Sequence, residues 1–149
     1  MSSWRQSTSQ QAQDDLDSLL GRGLDFAESQ LAEHGEFYPF AIAVQADGQQ
    51  VMIAPDARQL GEHPASDDVI AACWRNLIDR RNTLRAAAVV LDIRLMDGSG
   101  DAVEVNAEHA EGVALSAVAP YTRKRLRNAV EFGRIRASAG VARIWAVCF

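Results

Sequence analysis

Residues 101–119 read DAVEVNAEHAEGVALSAVA. From Ala102 to His109 the apolar Val103, Val105 and Ala107 alternate with Glu104, Asn106 and Glu108. Period two marks a strand, because successive side chains point to opposite faces. Glu111-Gly112 then turns the chain and Val113 to Ala119 returns, with Pro120 as the expected end of that strand. So short a turn joins antiparallel neighbours, whereas parallel strands need a crossover of many residues.

The same pattern extends outward. Ala87 to Leu95 is strand-like and is followed by the turn Asp97-Gly98-Ser99-Gly100. Tyr38 to Gln45 sets Phe40, Ile42 and Val44 opposite Ala41, Ala43 and Gln45; Asp47-Gly48 is a hairpin turn, and Gln50 to Ala54 returns before Pro55. Val130 to Ile135 and Val141 to Val147 read as a last hairpin around Gly140. Two segments have helical spacing. In Asp14 to His34, Leu16, Leu20, Leu24, Ala27 and Leu31 form one stripe, with Asp14, Asp15 and Asp17 at the positive end of the dipole and Gly35 as the cap. Gly21 and Gly23 weaken this helix by about 1 kcal/mol each relative to Ala, which leaves room for a kink or a break near Gly21. After a loop over Arg58 to Ala65, Ser66 or Asp67 caps a second helix to about Arg80, with Val69, Ile70, Cys73, Trp74, Leu77 and Ile78 on its apolar face.

These elements predict an α+β fold: a polar, disordered leader over residues 1–13, then one domain over 14–149. A single antiparallel twisted sheet carries two main helices packed on one face. The expected core contains Leu20, Leu24, Leu31, Phe40, Ile42, Val44, Ile70, Trp74, Leu77, Val90, Ile93, Val103, Val105 and Ile144.

Acidic residues number 20 and basic ones 15 among 149, a net charge of −5 that argues against a general nucleic-acid binder. Two cysteines exclude a disulfide scaffold and a four-cysteine zinc site. The polar start and the strand-sized longest apolar run lead us to expect a cytoplasmic chain with no membrane segment. Edge strands and the aromatic ends Trp4, Trp145 and Phe149 make a homodimer plausible.

Common chemistries fit poorly. Gly21-Arg22-Gly23 lacks the third glycine of a dinucleotide loop, where Phe26 stands, and it falls in a helical pattern. Ser99 between Gly98 and Gly100 belongs to a turn, not a nucleophile elbow. Each histidine follows a glutamate, yet strand neighbours such as Glu108 and His109 face opposite ways and cannot share an ion. No cofactor or metal site is expected, and the reading leans away from an enzyme. The one basic run, Thr122 to Arg127, is expected as a solvated loop.

The carboxylates carry the strongest signal. Glu104, Asn106 and Glu108 share a strand face, Asp101 lies at its end, and Asp92 and Arg94 lie on the polar face of the preceding strand. A meander would merge them into one acidic sheet face for a basic protein partner. Exposed acids there add nothing to folding, so changing Glu104 and Glu108 to Gln should alter stability by less than about 1 kcal/mol. Burial would instead point to an acidic pocket, a small-ligand site or cone-shaped α+β enzyme, with Glu108 the first acid to test.

The block Glu33 to Ala41 (EHGEFYPFA), with Asp101 to Val105, Glu108-His109, Gly112, Pro120-Tyr121, Glu131-Phe132-Gly133 and Trp145, resembles a family of small bacterial proteins that carry a GEFYPFA block and have no assigned activity. The resemblance spans Leu16 to Trp145 and implies a bacterial origin. Size and charge also look like those of immunity proteins that accompany secreted toxins, an analogy that does not reach the residues. Physically the block is a joint: Gly35 ends a helix, Phe37 and Tyr38 cover the seam with the sheet, and Pro39 fixes the strand entry.

Overall fold

The computed structural model describes residues 8–53, 65–124 and 129–145. In chain order these form α1 (Gln10–His34), β1 (Phe40–Gln45), β2 (Gln50–Ile53), α2 (Ser66–Asp79), a short 3-10 turn (Arg81–Thr83), β3 (Leu84–Arg94), β4 (Asp101–His109), β5 (Val113–Lys124), β6 (Ala129–Phe132) and β7 (Arg136–Ala139). All strand pairs are antiparallel, and the sheet order is β2-β1-β3-β4-β5-β6, with β7 also on β5. The α+β class and the single antiparallel sheet are as the sequence predicts.

The placement of the helices differs from that expectation. Phe40, Ile42, Val44, Ala86, Ala88, Val90, Val103 and Val105 pack against Leu16, Leu19, Leu24, Ala27 and Leu31 of α1. Ala41, Ala43, Ala87 and Val89 pack against Val69, Cys73 and Leu77 of α2. Neighbouring strand residues point to opposite faces, so the two helices cover opposite sides of the sheet. The reason is written in β1 and β3. FAIAV and AAAVV are apolar at every position, as a strand buried on both faces must be, whereas a half-solvated strand alternates.

α1 begins one turn earlier than Asp14. Ser9 is its N-cap: the hydroxyl accepts the Ala12 N–H at 3.1 Å and donates to Glu111 Oε2 at 2.6 Å. Ala12 is fully buried, so helix and core reach into the expected leader; residues 1–7 lie outside the described residues. The aspartates are therefore past the first turn, and Asp15 is buried. Gly35 caps the other end in the left-handed region (φ 77°). The helix runs unbroken through Gly21 and Gly23. A Cβ on Gly23 would sit 3.0 Å from Val90 Cγ2, so this glycine lets the helix lie close on the sheet.

Other boundaries shift for identifiable reasons. β5 continues through Pro120 and takes in Thr122, Arg123 and Lys124, which were expected in a loop; Arg125 to Arg127 lie outside the described residues. The Pro120 carbonyl accepts the Gly133 N–H at 2.7 Å on the side away from β4. A residue's N and O share a side in a strand, so the proline nitrogen faces the gap between β6 and β7 and costs no ladder bond. In place of the expected last hairpin, β6 and β7 both pair with β5, Gly140 still donates its N–H to the Ala114 carbonyl of β5 at 2.9 Å, and 141–145 form no strand to pair with β6; 146 and 147 lie outside the described residues. A Cβ at Gly140 would meet Leu115 backbone at 2.8 Å. Of the expected core, Leu20, Ile70, Trp74 and Ile93 are only partly buried, while Leu16 and Leu19 are fully buried. The loop before Ala65, the end of β2 at Ala54 and the ends Trp4 and Phe149 fall outside the described residues. No helix among the described residues is long and apolar enough to cross a membrane.

Candidate functional site

Register decides which polar residues share a face. In β3 and β4, Ala87 faces Glu108, Val89 faces Asn106 and Leu91 faces Glu104, so these three polar residues lie on the α2 side. Asp92 pairs with Val103, and Arg94 with Asp101, on the α1 side. The single acidic face expected from the sequence is therefore two separate groups, because β3 carries Leu91 and Asp92 on opposite faces.

Asp92, Arg94 and Asp101 lie beyond the C-terminal end of α1. Arg94 Nε is 3.7 Å from Asp101 Oδ1 across an exposed pair. Tyr121 donates to Asp92 Oδ1 at 2.7 Å. Burial is the main cause that raises the Asp92 pKa above the ordinary carboxylate value; Asp101 and Glu36 add to it, and the Tyr121 hydroxyl and Arg123 oppose it. Burial and the bond to Asp92 raise the Tyr121 hydroxyl in turn. Such a phenol holds its proton too tightly to exchange it near neutral pH.

Glu108 is not a surface acid. It is 2% exposed. Oε1 accepts the N–H groups of Arg143 (2.7 Å) and Ile144 (3.0 Å), and Oε2 those of Ile144 (3.2 Å) and Trp145 (2.6 Å). Its burial is thus explained by three backbone donors that neutralise a carboxylate without a cation. The acid fastens 143–145 across the sheet as a strap, and the buried Ile144 side chain joins the α2-side core.

His109 points the other way, as strand alternation demands. The Glu111 N–H donates to its Nδ1 at 3.1 Å, so the ring proton sits on Nε2, 3.0 Å from Asp15 Oδ2. Arg85 holds both oxygens of Asp15, from Nε at 2.9 Å and Nη2 at 3.0 Å. This Asp-His pair has no open nitrogen for a substrate. It ties the start of α1 to the sheet. Among the described residues no three His, Cys, Asp or Glu side chains converge to hold a metal ion. Cys73 is buried behind α2, and burial pushes its thiol up to about 11.

Between the strap and the strands lies a cleft of about 270 Å³. Glu104, Asn106 and Glu108 form its floor, Ser116 and Ser138 its far side, and Trp74 and Arg143 its near wall. The Arg143 guanidinium lies 5.1 Å from the Trp74 ring centroid. Among the described residues the half-buried Glu104 carboxylate accepts one side-chain hydrogen bond, from Ser116 Oγ at 3.5 Å, and has no ion pair. Asn106, also half-buried, makes no side-chain hydrogen bond within the described residues. Two of the six expected site residues, Glu104 and Asn106, are therefore available for binding here. Glu108 closes the site, and Asp92, Arg94 and Asp101 belong elsewhere.

Four lining residues escaped the sequence reading. Ser116 had a signal: Gly112 (φ 99°) ends a three-residue turn between the paired His109 and Val113, which sets Ser116 opposite Asn106. Trp74 fell on an apolar helix face and read as core. Ser138 reaches the cleft through its register with Ser116 and Arg143 through the strap, pairings between distant segments for which no local pattern exists. In comparisons with protein-family models, curated proteins and solved structures, nothing matches this chain.

Proposed function

We propose that this protein is a non-catalytic protein-binding module, immunity-like or regulatory, whose docking face is the α2 side of β4, β5 and β7. Its partner is a basic protein. The observation that carries this reading is the pair Glu104 and Asn106: half-buried polar groups with unused hydrogen-bonding capacity in a concave site. Each other buried acid is already engaged, Glu108 by the strap and Asp15 by Arg85 and His109. A half-buried acceptor without a partner is a place where a donor gains most by binding. The GEFYPFA resemblance, with the bacterial origin it suggests, and the cytoplasmic location expected from the sequence belong to the same proposal. The block itself acts as the expected joint, with Phe37 and Phe40 edge to face at 5.6 Å, although Tyr38 is exposed.

The test is affinity capture from the native cell, followed by reconstitution with the purified partner. Glu104→Gln should slow association and flatten its salt dependence, as loss of an interfacial charge does. An unchanged rate and salt response would refute the docking face. The concavity of the cleft favours one alternative, a small-ligand pocket. A reproducible upward melting shift with one class of small acid, nucleotide or metal, in place of a protein partner, would select it.

A further inference from the structure

We infer that the cleft receives the guanidinium of an arginine carried by the partner, an inference that rests on the docking face proposed above. Three features converge. The floor offers acceptors in a row, with Glu104 and Asn106 two strand positions apart, roughly 7 Å between alpha carbons. The Ser116 hydroxyl lies across the register from Asn106, and Ser138 lies across from Ser116. A planar fork with five N–H donors can engage several such acceptors at once, whereas an ammonium is a point charge with three.

The wall is aromatic and already carries a guanidinium. Arg143 rests on Trp74 from the exposed side and has no ion pair among the described residues, so the ring and not a carboxylate orients it. Glu108 is taken by its three N–H donors, so Glu104 is the acid open to a ligand, and Arg143 is the one cation among the cleft's lining residues, held against Trp74 with no ion pair to Glu104 among the described residues. At about 270 Å³ the cleft accommodates a side-chain head group and not a folded element.

Blocked tripeptides Ala-Arg-Ala, Ala-Lys-Ala and Ala-citrulline-Ala are the probes, with the full chain labelled on its indole nitrogens. The Trp74 indole resonance is assigned from Trp74→Phe. The arginine peptide should shift this resonance in the millimolar range. The lysine peptide should bind about threefold more weakly, and neutral citrulline, of nearly the same shape, should leave it unmoved. Glu104→Gln should weaken the arginine peptide by about tenfold, the loss of one charge-assisted bond. Arg143→Ala, which removes a like charge, should tighten it by about threefold. Melting points of both variants are read first, and Asn106→Ala serves as the acceptor deletion if Glu104→Gln unfolds. Equal binding of citrulline and arginine overturns the inference. If the arginine peptide leaves Trp74 unmoved while Glu104→Gln still slows the protein partner, the guanidinium assignment falls and the docking face stands. If neither responds, both fall.

Discussion

Glu108→Gln changes one atom and should release the strap. The carboxylate accepts four contacts from three backbone N–H groups. Glutamine keeps one acceptor oxygen, sufficient for Arg143 and Ile144. Its amide nitrogen then faces the Trp145 N–H, donor against donor. One bond to a charged group is lost, about 1.5–3 kcal/mol, and a part-buried N–H is left unpaired at about 1–3 kcal/mol. Relief from burying a carboxylate offsets part of this, leaving a net loss of about 2–4 kcal/mol. In a domain of this size each kcal/mol shifts the midpoint by about 2–4 °C, so a loss near 3 kcal/mol lowers it by about 9 °C. If the strap opens before the whole domain unfolds, Ile144 is exposed locally instead. Denaturant unfolding measures the first outcome, and amide exchange at Arg143, Ile144 and Trp145 the second. A variant within about 0.5 kcal/mol of the parent, with those three amides equally protected, would refute the clamp. The sequence alone implied that near-neutral result for a pair of exposed acids, so this measurement separates the two accounts of Glu108.

Two further outcomes follow from α1 and from Asp92. Gly21 is exposed in the helix with nothing within 4 Å of an added Cβ, so Gly21→Ala should stabilise by about 1 kcal/mol, whereas Gly23→Ala should destabilise because Val90 and Ile42 are fixed in the core at 3.0 and 3.5 Å. Chemical denaturation of both variants decides, and a Gly23→Ala as stable as Gly21→Ala would disprove the close approach. For Asp92 the pKa is raised in the folded state, so the folded chain binds the proton more tightly, and the site's contribution to stability falls as pH rises from the unfolded value through the folded one. Asp92→Asn, which can still accept from Tyr121, should therefore melt higher than the parent at pH 7, with the difference vanishing near pH 3. An equal difference at both values would show that burial of the charge is not the cause.

Much of the fold was legible because local signals agreed with tertiary demand. The Asp47-Gly48, Asp97-to-Gly100 and Glu111-Gly112 turns each join paired strands, and Gly35 caps α1 in the conformation that its lack of a Cβ permits. The two-sided burial was legible as well, in the unbroken apolar runs of β1 and β3, but alternation drew attention to the larger side chains and hid the alanines opposite. Pro120 misled because a strand tolerates proline wherever its nitrogen faces no neighbour, a matter of edges that one segment does not record. Of the site, the common direction of Glu104, Asn106 and Glu108 was readable from period two. That Glu108 would be consumed by 143–145 was not, because its three donors lie more than thirty residues away and meet it only in the folded chain.

The two helices cover unequal shares of the sheet. α1 has 25 residues, about 37 Å of helix, and packs along β1, β3, β4, β5 and β6. α2 has 14 residues, about 21 Å, and covers β1, β2 and β3. Since α2 packs on β1, β2 and β3, the α2-side face of β4 and β5 carries no helix among the described residues. The strap answers part of that deficit by laying Ile144 beside α2 and fixing it with Glu108. Beyond the strap, Glu104, Asn106 and Ser116 replace the apolar residues that cover would require. Adjacent residues of β4 thus hold both ends of the described chain: His109 binds Asp15 of α1 on one face, and Glu108 binds 143–145 on the other. The clamps hold this polar, concave face without a third helix, and the cleft beside Trp74 is the space that α2 and the strap leave open.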